Sequence, residues 1–182
     1  MKTENWIKFS QLRESIHKQF QYSEDYIKGV FHTDRNAFYG ATDALLDTIE
    51  MLRIAKSLHI KGNETERKLI AYGILNAVYV QQDSVKILFD LILKENLNIN
   101  SRIRTLRNRL SGHPTYAKHS GETSSIPARM PPGRLEFQIY GLPTNDPDKF
   151  FQMDIDEFIN ENYSNLMPTM QRIESSIKNY LK

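Results

Sequence analysis

From Glu64 to Asn96 the chain reads as one long helix whose middle is apolar nearly all round. A helix without a polar face has to lie at the centre of a bundle, because no side of it can be left to water. Glu64 and Glu66 in its first turn suit the positive end of the helix dipole. The apolar frame is interrupted once, by Tyr79-Val80-Gln81-Gln82-Asp83, and resumes with Val85, Ile87, Leu88 and Phe89. Buried polar side chains must be hydrogen-bonded. Gln81, Gln82 and Asp83 therefore tie helices together, face solvent or, in the case of Asp83, orient a functional neighbour.

Other helices should surround this one. Trp6–Gln21 is amphipathic, with Trp6, Ile7, Phe9, Leu12, Ile16 and Phe20 on its inner side, and Ser10 could cap a shorter version. Residues 21–40 are rich in aromatics without a clear period and read as mixed turn and helix. Thr42–Ile60 presents Leu45, Leu46, Ile49, Leu52 and Leu58 on one face and ends at Lys61-Gly62-Asn63, where Asn63 or Thr65 can cap the long helix. Residues 117–133 hold clustered Gly, Ser and Pro and read as a loop. Arg134–Tyr140 and Lys149–Ile155 alternate apolar and polar positions around the turn-rich GLPTNDPD, which predicts a β-hairpin. A last helix begins at Asp154 or Asp156 and keeps its period to the C-terminus, with a kink or break expected at Pro168. The expected fold is all-α: one domain over 1–182, with the loop and hairpin of 117–155 inserted before the last helix.

Composition narrows the chemistry. The 182 residues include no cysteine, which excludes disulfides, thiolate-bound zinc and a cysteine nucleophile. The longest apolar stretch, Leu69–Val80, is too short to span a bilayer, and the N-terminal residues hold no secretory core. A cytoplasmic protein with no membrane partner is expected. The net charge is only +2, but its distribution is uneven. Residues 101–134 carry seven basic side chains and one acid, Glu122, while the rest of the chain holds 17 basic and 21 acidic residues. A basic block of this kind suits a polyanion, although a charge run can also be a solvated face.

Within that block lies SRIRTLRNRLSGHPTY, Ser101–Tyr116. Ile103, Leu106 and Leu110 form one helical stripe, capped at its start by Asn100 or Ser101. Gly112-His113-Pro114 ends the helix, since glycine suits the left-handed position and the residue before proline leaves the α region. In an unbroken helix, a separation of six positions from Arg107 to His113 would set their side chains about 120° apart. Either the break swings the imidazole back, or a second copy supplies a facing pair. Histidine can exchange a proton near neutral pH, and arginine can fork onto two phosphate oxygens. Together they could cleave RNA without metal, the base activating a ribose 2′-hydroxyl and the guanidinium holding the charge that builds on phosphorus. Asn108 could position either. No Gly-rich phosphate loop, serine elbow, His-x-x-x-His or paired acidic pattern is present, so neither cofactor nor metal is expected.

Arg107-Asn108, four further residues and His113 resemble the motif of HEPN-domain proteins, and Pro114-Thr115 adds context of the abortive-infection and toxin type. YVQQD, about two dozen residues upstream, strengthens the likeness, which covers roughly Thr65–Tyr116. The resemblance implies a helical bundle that dimerises with its motif helices facing across a basic cleft. It implies a ribonuclease in which His113 is general acid/base, Arg107 stabilises the phosphorane and Asn108 supports both. Arg104, Arg109 and Asp83 would line the substrate site. A cognate antitoxin is a further implied partner. Related HEPN proteins bind RNA, nucleotides or proteins without cutting, which is the alternative. In antitoxin-modified relatives a tyrosine lies two residues past the histidine, whereas here Tyr116 lies three past His113.

Overall fold

The computed structural model describes residues 4–22, 35–99, 103–104, 124–127, 129–140 and 150–180. The chain is helical with a small antiparallel sheet near its C-terminal third. The helices are α1 (Glu4–Tyr22), α2 (Arg35–Lys61), α3 (Glu64–Leu93) and α4 (Ile155–Tyr180). Ile103 and Arg104 are also helical. The strands are β1 (Ser124–Pro127), β2 (Arg134–Tyr140) and β3 (Phe150–Asp154), antiparallel in the order β1-β2-β3. Two compact units divide α2, α3 and α4 between them: one takes 1–50, 80–99 and 160–182, the other 51–79 and 100–159.

In the first unit α1 buries Phe9, Arg13, Ile16 and Phe20, one stripe at helical spacing. Phe20 stacks on Phe38 of α2 with centroids 3.7 Å apart, and Phe9 leans on Tyr163 of α4 at 5.0 Å. Arg13 can be buried because it is fully engaged. Its Nε donates to the Thr42 carbonyl at 2.9 Å, and its terminal nitrogens meet Glu14 and Asp43. Leu166, Met170, Ile173 and Ile177 of α4 are buried in this unit, and Ile159 in the second, as their period predicts. Pro168 lies inside α4, which is one continuous helix and not the two pieces that the proline allowed.

The second unit is built on the hairpin of β2 and β3. Phe137 pairs with Phe151 across the ladder and Leu135 with Met153, so the apolar alternation faces one way. Phe137 meets Tyr72 of α3, and Phe151 meets Phe158 of α4. Asn63 caps α3 as expected, in a reciprocal box: Glu66 N–H donates to Asn63 Oδ1 at 3.0 Å, and Asn63 N–H donates to Glu66 Oε2 at 2.7 Å. Asp154 caps α4, accepting from Asp156 N–H at 2.8 Å.

Several expectations are corrected. Residues 117–133 are not all loop, because Ser124–Pro127 adds a third strand beside β2. This SSIP segment has no alternation of its own and is a strand because β2 offers it an unpaired edge. Residues 35–40 belong wholly to α2, and α1 starts at Glu4, ahead of the Ser10 cap. Ile7, Leu46 and Leu58, read as inner residues, are exposed by 37%, 40% and 48%. Glu136, on the opposite face of β2 from Leu135 and Phe137, is also buried and accepts a hydrogen bond from its cross-strand partner Gln152.

Candidate functional site

Of the six residues singled out for chemistry, Asp83 and Arg104 fall among the described residues. Arg107, Asn108, Arg109 and His113 lie outside them. Ile103 is fully buried, as the apolar stripe of the motif helix requires, and Arg104 beside it is half-buried. The Arg104 guanidinium lies over the ring of Tyr79, 5.7 Å from its centroid. A cation over an aromatic face is attracted by the ring quadrupole. Asp83 follows Tyr79 by one turn of α3 and is half-buried.

Gln81 and Gln82 of the same polar interruption in α3 are structural. Gln81, Gln82 and Asn162 are each 0% exposed. Gln82 Nε2 donates to Asn162 Oδ1 at 2.9 Å, and Asn162 Nδ2 donates to Gln81 Oε1 at 2.8 Å. One amide of α4 thus joins two consecutive amides of α3. Burial pushes the neighbouring Tyr163 hydroxyl up to about 12; the Gln81 side chain opposes that rise and the charge of Glu50 adds to it. A phenol held this far from ionisation does no acid–base work near neutral pH.

Two polar centres were not read from the sequence. His59, at the end of α2, is fully buried, and its Nδ1 accepts the Gly133 N–H at 3.1 Å. That bond assigns the ring proton to Nε2. Burial holds the imidazole below its ordinary pKa, and the Arg67 charge adds to the effect. It is a neutral structural histidine. Lys56, one turn earlier, reaches both carboxylate oxygens of Asp154 at 3.1 Å and Asp156 Oδ2 at 2.9 Å. Burial alone would lower the Lys56 ammonium, but the two carboxylates outweigh it and leave its pKa raised. No local signal marks either centre, since the partners lie 74 to 100 positions away.

Among the described residues, no group of three or more His, Cys, Asp or Glu side chains could hold a metal. Nor is any helix among them long and apolar enough to cross a membrane. No protein-family model, curated protein or solved structure matches the chain.

Proposed function

We propose that the chain is a metal-independent endoribonuclease of the HEPN type, acting in the cytoplasm in a toxin or phage-defence role. His113 takes the proton of a ribose 2′-hydroxyl as that oxygen attacks the adjacent phosphorus. The bond from phosphorus to the 5′-oxygen breaks, and the leaving oxygen takes a proton from an imidazolium, that of His113 or of the facing copy. One product ends in a 2′,3′-cyclic phosphate and the other in a 5′-hydroxyl. Arg107 holds the charge that develops on the phosphorane oxygens. Asn108 positions the pair, Arg104 and Arg109 hold the RNA backbone, and Asp83 orients the site. Two copies with facing motif helices complete the cleft, and a cognate antitoxin restrains it.

The observation that supports this reading is the contact of Arg104 with Tyr79. It brings Arg104, three positions before Arg107 in the sequence, onto the first residue of Tyr79–Asp83. The test is cleavage of a mixed RNA pool in excess EDTA by the wild-type chain, His113→Ala and Arg107→Ala. Wild type is expected to leave cyclic-phosphate ends, and each folded variant to lose at least about 100-fold in rate. If folded wild type fails to cut at any concentration, the ribonuclease reading falls and non-catalytic binding of RNA, nucleotide or protein replaces it.

A further inference from the structure

Tyr79 closes the stretch of α3 that belongs to the second unit. Ala77 and Val78, just before it, are buried, so the helix carries its backbone on a packed face. Its own ring is only half-buried. A tyrosine has few side-chain torsions to fix, so a ring on an anchored helix costs little conformational freedom to hold in place. Arg104 has the opposite character. Ile103 beside it is fully buried, which ties down the backbone. The guanidinium, however, ends a long and flexible side chain, which loses much rotamer freedom when a ligand grips it.

The two side chains meet within the second unit. The guanidinium carbon lies 5.7 Å from the centroid of the Tyr79 ring, inside the range of about 6 Å over which a ring face attracts a cation. This attraction is electrostatic and is not a hydrogen bond. It takes up none of the five N–H donors with which a guanidinium holds phosphate oxygens. The ring therefore restrains Arg104 without competing for the groups that a phosphate would use. A side chain ordered before its ligand arrives pays less entropy on binding.

We infer that Tyr79 is a positioning residue for RNA, its ring holding the Arg104 guanidinium in place for the phosphate backbone of the substrate. The inference rests on the ribonuclease reading and adds to it a residue that acts only through Arg104. Removing the ring matters, on this account, only while the guanidinium is there to be held.

The test is a double-mutant cycle in the full-length chain. Binding of a fluorescent single-stranded RNA of mixed sequence is followed by anisotropy in a His113→Ala background, which leaves the RNA intact. Arg104→Ala is expected to weaken binding about fivefold and to lower the slope of log affinity against log salt by about 0.7. Tyr79→Leu is expected to weaken it about three- to fivefold while Arg104 is present, and less than about twofold in the Arg104→Ala chain. Tyr79→Phe keeps the ring face and should recover most of what Tyr79→Leu loses. Tyr79→Met, also without a ring, repeats the cycle should the leucine variant lose its circular dichroism spectrum. Equal losses from Tyr79→Leu in both backgrounds overturn the inference, because the tyrosine then acts through packing. So does a phenylalanine variant as weak as the leucine one. Wild-type affinity in Arg104→Ala also sinks it, yet leaves the ribonuclease reading standing if the chain with His113 intact cuts RNA. A chain that neither binds nor cuts RNA removes both.

Discussion

Gly133 donates its N–H to the fully buried Nδ1 of His59 at 3.1 Å. The same glycine sits at φ +78°, in the turn Pro131-Pro132-Gly133-Arg134, where the Arg134 N–H donates to the Pro131 carbonyl at 3.1 Å. Its own carbonyl accepts from Ile155 N–H, the first residue of α4. A Cβ on Gly133 would make ordinary contact with Lys56 and Ile60 at 3.4 to 3.5 Å, but any side chain there would strain the left-handed backbone. His59 thus holds the turn that leads into β2 and bonds the first residue of α4, and it can do so only as a neutral ring.

This bond makes stability depend on pH. The pKa of His59 is lowered in the fold, first by burial and then by Arg67, so the unfolded chain binds the proton more readily. The contribution is complete above the unfolded value of about 6.5 and is lost as pH falls below it toward the folded value. His17, lowered by burial, acts in the same direction. The lowered carboxylates Glu14, Asp154 and Glu174 act only below about pH 4.5. Melting temperatures between pH 7.5 and 5 should therefore fall for wild type. They should fall less for His59→Asn, whose amide oxygen can still accept from Gly133. Equal slopes for the two proteins would rule His59 out as the source.

Asn162 serves both Gln81 and Gln82, so its loss should exceed that of either partner. Asn162→Leu leaves two buried amides without their partner and should cost about 2–4 kcal/mol, against about 1–3 kcal/mol for Gln82→Leu. Urea unfolding measures both. A change below about 0.5 kcal/mol for Asn162→Leu would mean that the network contributes no more than an ordinary surface site.

Asp154 has two tasks, the cap of α4 and the pairing with Lys56. The pair is about one-third exposed on both sides, so the cap should dominate. Asp154→Ala is expected to lower stability by about 1–2 kcal/mol, while Asp154→Ser, which keeps a capping oxygen, should lose less than half of that. Similar losses for the two variants would show that the ion pair matters more than the cap.

Gly73→Ala should raise stability by about 0.5–1 kcal/mol, because the added methyl favours the helix and meets nothing within 4 Å among the described residues. Urea unfolding measures it, and a loss of stability would mean that the methyl is not accommodated there.

Much of the helical framework was legible because helix formation and capping depend on residues a few positions apart. The long α3, its Asn63 cap, the Asp154 start of α4 and the alternation of β2 and β3 could all be read in windows of that size. The Arg107–His113 pattern was read in the same way, from residue types alone, and lies outside the described residues. Periodicity announces that a helix has a buried face without naming the neighbour that covers it. Tertiary contacts decided that α2 buries Thr48, Ala55 and His59 while Leu46 and Leu58 stay exposed. They decided that Gln81 and Gln82 find Asn162, that Glu136 is buried beside its cross-strand partner Gln152, and that Ser124–Pro127 becomes a strand. In each case the deciding partner is a hydrogen-bonding group or apolar surface distant in sequence, and no local pattern of residues encodes its position.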